Sequence, residues 1–128
     1  MSKIQLSQRM YSILDIVRLL DNEELSIQPK YQRRRTAWPS TAKTALMDTI
    51  LNNFPLPPIY LRDYVNEEGK RKKEIIDGQQ RISTIVEFYK NEFQLSKNIF
   101  DEDLYNCTFE DLPTNEQLMF EDFEVSFI

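Results

Sequence analysis

A predicted strand gives way to a helix at Ile76-Asp77-Gly78-Gln79-Gln80-Arg81. Isoleucines precede the glycine, and apolar residues at helical spacing follow it as far as about Tyr89. The chain contains only two glycines, and a hairpin explains Gly69. Gly78 therefore marks a point where the backbone turns sharply and exposes its N–H groups.

Helices and strands are predicted on both sides of this junction. Apolar periodicity and capping signals predict helices at residues 11–20, 39–54, 79–89 and from 114 onward. The second of these is expected to place Ala42, Leu46, Ile50 and Phe54 on one face. Strands are predicted at residues 25–28, 59–65, 73–76, 93–95 and 124–128, with a charged loop at 30–38 and a hairpin turn at 66–70.

These elements predict one α+β domain, residues 1–128, in which a small mixed sheet is flanked by helices. Glu124-Val125-Ser126-Phe127-Ile128 alternates like a strand and then stops. We interpret that ending as a domain cut from a longer protein.

Composition excludes several classes of function. The chain has no histidine, which excludes Ser-His-Asp and Cys-His nucleophilic sites and histidine-ligated zinc. The single cysteine, Cys107, excludes an internal disulfide. No apolar run approaches the roughly 18–20 residues that span a bilayer, and the N-terminus lacks a signal peptide. We therefore expect a soluble, cytoplasmic protein without a membrane partner.

The net charge of −5 conceals an asymmetry along the chain. Nine acidic residues and no basic ones follow Lys97, which leaves 12 acidic against 16 basic residues before that point. The mildly basic first part permits an anionic ligand, although most of these charges are typical of a solvated surface.

The junction has the chemistry of a phosphate site. The first turn of a helix offers unpaired N–H groups and the positive end of the helix dipole. Arg81 adds a forked cation suited to phosphate oxygens, and Asp77 could hold Mg²⁺ or orient a water. Gln79 and Gln80 can donate and accept hydrogen bonds. The alternative is that Asp77 pairs with Arg81 while the glutamines only decorate the helix N-terminus.

Two basic stretches are candidate contacts for nucleic acid. Tyr31-Gln32-Arg33-Arg34-Arg35, followed by Trp38, could contact phosphates and stack on a base. Alternatively, Tyr31 and Trp38 pack on the core and the arginines are solvated. Lys70-Arg71-Lys72-Lys73 could touch a DNA backbone, or it could merely keep an exposed strand soluble. The candidate DNA contacts are Arg34, Arg35, Lys72 and Lys73.

The order and spacing of these motifs resemble the DGQQR family, the N-terminal domains of GmrSD-type restriction proteins and SspE-like phage-defence proteins. The resemblance covers roughly residues 10–128. Its signatures are Tyr31-Gln32-Arg33, Trp38, the segment 53–61, and the segment 76–85 that begins with Ile76-Asp77-Gly78-Gln79-Gln80-Arg81.

The resemblance implies a ParB/sulfiredoxin-like fold that binds, and in several members hydrolyses, a nucleoside triphosphate in the service of DNA restriction. It implies a nucleotide site at Asp77, Gly78, Gln79, Gln80 and Arg81, with Tyr31, Gln32 and Arg33 beside it. Within that site we expect Asp77 and Arg81 to be the catalytic residues and Asp77 to hold the Mg²⁺.

The missing histidines depart from the family pattern, since many members carry a C-terminal HNH nuclease. We therefore expect either that a nuclease domain or subunit is absent from this chain or that the chain is a standalone module. Two alternatives to an NTPase remain at this stage. One is a non-catalytic nucleotide-gated sensor or DNA-binding adaptor, and the other is a structural interaction domain with a vestigial site.

Overall fold

Four α-helices and five short strands make up the part of the chain that the computed structural model describes, residues 8–27 and 38–128. In chain order they are β1 Arg9–Ser12, α1 Ile13–Asp21, β2 Leu25–Ile27, α2 Ser40–Leu51, β3 Tyr60–Val65, β4 Arg71–Asp77, α3 Gln79–Tyr89, α4 Thr114–Asp122 and β5 Glu124–Phe127. Short 3₁₀ turns lie at Glu102–Leu104 and Phe109–Asp111. The described helices are too short and too polar to cross a lipid bilayer.

The strands form two small sheets. In the three-stranded sheet β4 is central, with β2 parallel on one side and β3 antiparallel on the other. In the two-stranded sheet β1 and β5 are antiparallel. The predicted α+β class and the mixed sheet are confirmed, although the strands divide between two sheets where the sequence predicted one.

The end of the chain connects these two sheets. The backbone N–H of Ile59 donates to the Ser126 carbonyl at 2.8 Å, and Ile59 accepts from the N–H of Ile128 at the same distance. The N–H of Leu61 then donates to the Ile128 carbonyl at 2.9 Å. The end of β5 and Ile128 therefore run parallel to the beginning of β3 and pair with its outer side.

The helices bury the apolar faces that their periodicity predicts. Ile13, Ile16 and Val17 of α1 are buried, and the Ser12 hydroxyl caps the helix by accepting from the Asp15 N–H at 3.1 Å. In α3 the buried apolar residues are Ile82, Ile85 and Phe88. Trp38 lies partly buried against the core, as the packing interpretation predicts.

Two predictions about individual segments are wrong. Residues 93–95 are not a strand, because Leu95 exchanges hydrogen bonds only with the turn at Asn106 and Cys107. Phe93 packs its ring on Phe88 instead. Phe54 does not belong to the buried face of α2, since that helix ends at Leu51 and the Phe54 residue is 62% exposed.

Candidate functional site

Gly78 makes the turn between β4 and α3. Its backbone is left-handed, with φ of 99° and ψ of 14°, a conformation that glycine adopts without steric cost. A Cβ at this position would overlap the side chain of Ile59, which is fully buried at the entrance to β3. The backbone angle and the close approach of Ile59 therefore both require glycine here.

The turn leaves the first N–H groups of α3 facing outward from the helix end. The first intrahelical bond after the turn runs from the Ile82 N–H to the Gly78 carbonyl, at 3.1 Å. The N–H groups of Gln79, Gln80 and Arg81 come before this bond, so the helix itself provides no carbonyl four residues earlier for them. These donors and the helix dipole favour an anion at this position.

Arg81 has partners that the sequence did not reveal. Its guanidinium donates through Nη1 to the Pro57 carbonyl and through Nη2 to the Pro58 carbonyl, the latter at 3.2 Å. The ion pairs between described residues do not include one between Asp77 and Arg81. Arg81 therefore fastens the connection between α2 and β3 to the start of α3.

The other residues of the motif differ in how they are engaged. Asp77 is exposed at the end of β4, opposite Tyr60, where the register of β3 shifts. The Gln79 side chain turns back and donates to the Ile76 carbonyl at 2.8 Å. The Gln80 carbonyl accepts from the buried Thr84 hydroxyl at 2.8 Å. Asp77 is thus the acidic side chain that the motif presents to solvent.

The edge of the sheet at Asp77 is also where β2 ends. Because β2 and β4 are parallel, with Ile27 opposite Ile75, the chain leaves β2 at the same edge at which β4 reaches Asp77. In parallel sheets, ligands bind outside the carboxyl ends of the strands. The predicted residues Tyr31, Gln32, Arg33, Arg34 and Arg35 follow β2 in the chain but lie outside the described residues.

The comparison with known families agrees with the motif. A family model described as the GmrSD restriction endonuclease, N-terminal domain, matches residues 16–127. The chain belongs to this family. No curated protein and no solved structure matches it. The resemblance to GmrSD N-terminal domains is confirmed, whereas the ParB/sulfiredoxin-like relationship stays a prediction.

The GmrSD-type junction could hold a metal ion only together with the phosphates of a ligand. Among residues 8–27 and 38–128 no three or more Asp, Glu or Cys side chains cluster as ready-made ligands. Asp77 alone therefore does not form a cage. An exposed carboxylate beside a phosphate site does fit Mg²⁺, which commonly binds one or two carboxylates together with substrate phosphates and water.

Lys72 and Lys73 lie apart from the GmrSD-type junction. Both are in β4, five and four residues before Asp77 respectively, which corresponds to roughly 13–16 Å along a strand. Lys72 donates to the Glu23 carbonyl at 3.0 Å, and Lys73 pairs with Asp63 at 3.7 Å. Their role as DNA contacts stays a prediction.

Proposed function

We propose that this GmrSD-type domain binds a nucleoside triphosphate at the β4–α3 turn, as the nucleotide-responsive module of a DNA restriction or phage-defence system. The observation that carries the proposal is the left-handed Gly78, which opens α3 beside the exposed Asp77. Family membership supports the restriction context, because the matching model describes a restriction endonuclease domain.

In this proposal the backbone provides most of the phosphate recognition. The N–H groups of Gln79, Gln80 and Arg81 donate to phosphate oxygens at the positive end of α3. The Asp77 carboxylate holds Mg²⁺ or orients the attacking water, and a bound Mg²⁺ would neutralise charge on the phosphates. Arg81 already uses Nη1 and Nη2 on carbonyls, so it contacts phosphate through its remaining N–H groups or by exchanging those bonds.

The segment after β2 completes the proposed site. Because β2 ends beside β4, we assign Arg33 to the charge clamp on the phosphates and Tyr31 to the base or sugar, with Gln32 between them. Arg34 and Arg35 are proposed to contact DNA.

The bonds from Arg81 to Pro57 and Pro58 favour a second candidate, a binding module without turnover. An arginine held by backbone carbonyls serves the local structure, and it is not free to stabilise charge developing in a transition state. In that case the domain binds a nucleotide as a sensor or a DNA adaptor and releases no phosphate.

The test is a thermal-shift panel of ATP, GTP, CTP and UTP, each with and without Mg²⁺. A ligand at a hundred times its Kd stabilises the folded state by about 2.7 kcal/mol, on the order of 10 °C for a domain of this size. We expect one nucleotide to shift wild type in a Mg²⁺-dependent way. Asp77→Asn should lose the Mg²⁺-dependent part. Asp122→Asn, which replaces another exposed aspartate, on α4, should keep it.

Phosphate release then separates the two candidates. A binding nucleotide that yields phosphate in wild type and none in Asp77→Asn supports an NTPase. Binding without release supports the sensor or adaptor. If no nucleotide shifts wild type, the domain does not bind nucleotides by itself and the proposal fails.

A further inference from the structure

A groove of about 820 Å³ lies on a different part of the surface from the Asp77 motif. One wall is a face of α4, in which Asn115, Leu118, Met119 and Asp122 recur at intervals of three and four residues. The opposite wall is the connection between α2 and β3, which contributes Asn53 and Pro55. Its volume is in the range of sites that bind ligands or partner segments.

Two apolar side chains of α4 that line this groove are exposed to solvent. Leu118 is 52% exposed and Met119 is 48% exposed, while Phe120 in the same helix is fully buried in the core. The helix therefore carries apolar residues on two faces, of which one has no partner within the described chain. Neighbouring apolar side chains around a concave surface are typical of an interaction site.

The charges of the groove point to a cationic partner. Among the residues that the structure describes, the charged ones lining the groove are Asp122 and Glu124, without a lysine or arginine. Helix α4 and strand β5 themselves carry no lysine or arginine, because no basic residue follows Lys97 in the sequence. A partner that covers Leu118 and Met119 would place its own flanking charges against these two carboxylates.

We propose that this groove binds a cationic amphipathic helix of a partner protein. Apolar side chains spaced three and four residues apart on the partner pack on Leu118 and Met119, and lysines or arginines on its flanks face Asp122 and Glu124. This is the helix-in-groove mode, in which apolar anchors give affinity and complementary charge gives orientation.

The groove shares a chain segment with the region that contacts Arg81. Pro55 forms part of its wall, and two and three residues further on the carbonyls of Pro57 and Pro58 accept from Arg81. One short connection thus contacts both the groove and the Asp77 motif. The docking proposal itself does not depend on nucleotide binding.

The test uses a labelled model peptide and the full chain. The peptide has roughly 14 residues, about four helical turns, with leucines at helical spacing and lysines elsewhere. Its binding is followed by fluorescence polarisation against wild type and the double variant Leu118→Ser, Met119→Ser. We expect at least about tenfold weaker binding to the double variant. Phe100→Ser, which replaces an 81% exposed phenylalanine outside the groove lining, should bind like wild type.

Charge is tested separately with Asp122→Lys, Glu124→Lys and with a scrambled peptide of the same composition. We expect the charge variant to bind the peptide at least about tenfold more weakly at low salt, with a smaller difference at high salt. Thermal melts confirm that each variant is folded. Equal binding of the scrambled peptide, or equal binding to the Leu118, Met119 variant, overturns the proposal. So does a dimer in sedimentation that the same double variant abolishes, because the groove would then bind a second copy of the chain.

Discussion

The two glycines of the chain have similar backbone angles but different surroundings. Both have positive φ, 79° at Gly69 and 99° at Gly78. A Cβ at Gly69 would meet open space, whereas one at Gly78 would overlap Ile59. Gly69→Ala should therefore cost about 1–2 kcal/mol, from the backbone alone. Gly78→Ala adds overpacking and should cost about 2–4 kcal/mol in total.

Equilibrium unfolding in urea measures both substitutions, and Gly69→Ala is the matched control for backbone strain. Equal losses of stability would show that Ile59 moves aside without cost. In that case the close approach of Ile59 would no longer explain the glycine, and the left-handed turn alone would require it.

The second prediction for a single residue concerns the stability of Arg81→Ala. Because its guanidinium holds the carbonyls of Pro57 and Pro58, Arg81→Ala should destabilise the domain by about 1 kcal/mol even without any nucleotide. Arg71→Ala, at an exposed arginine in β4, should change stability by less than about 0.5 kcal/mol. Urea unfolding of the ligand-free proteins decides this. Equal stability of Arg81→Ala and wild type would contradict the anchoring role.

At the scale of elements, sequence predicted the helices better than the strands. Helices at Ile13–Asp21 and Gln79–Tyr89 follow from local periodicity and from signals within a few residues. β1 has four residues, and its Ser12 pairs with Glu124, 112 residues further along the chain. No local pattern reveals such a pairing, so the sequence assigned Tyr11 and Ser12 to the helix that follows.

The cap of α1 can be tested directly. The Ser12 hydroxyl accepts from the Asp15 N–H, so Ser12→Ala removes the acceptor and should cost about 1 kcal/mol. Ser12→Asn keeps an acceptor at the cap and should retain most of the stability. Thermal melts compare the three proteins. If Ser12→Asn loses as much stability as Ser12→Ala, then strand β1, rather than the cap, requires serine.

One hydrogen bond between α3 and α4 depends on the protonation of a tyrosine. Burial, and then the hydrogen bond that Tyr89 donates to Glu121 at 2.8 Å, raises the pKa of Tyr89 above its ordinary value. In the unfolded chain a tyrosine ionises near about pH 10. The stability that this shift contributes is therefore complete below about pH 10 and is lost as the pH rises toward the folded pKa.

Tyr89→Phe isolates that contribution. Wild type should be more stable than the variant at neutral pH, and the gap should narrow as the pH rises above about 10. Urea unfolding at neutral pH, at pH 9 and above pH 10 measures the difference in stability between the two proteins. The other tyrosines and the lysines are present in both, so their titration affects both equally. A gap that stays constant over this range would contradict the raised pKa of Tyr89.

For the whole molecule, groups of residues that are consecutive in the sequence were predictable, whereas contacts between distant segments were not. Asp77 to Arg81 are consecutive, so their grouping at a strand–helix turn follows from the sequence. The partners of Arg81 come from Pro57 and Pro58, which reach it only through the tertiary fold. The groove likewise joins α4 to a connection about sixty residues earlier.

The pairing of β5 with both β1 and the start of β3 makes the two sheets one folding unit. Phe127 is 1% exposed in β5 and its ring meets Tyr11 of β1 at 5.4 Å between centroids. Phe127→Ala should cost about 3–5 kcal/mol. Because Ser126 and Ile128 bond Ile59 and Leu61, hydrogen exchange should show β3 and β4 losing the same protection as β1. Loss confined to β1 and β5 would instead show that the two-stranded sheet opens alone while the rest of the domain stays folded.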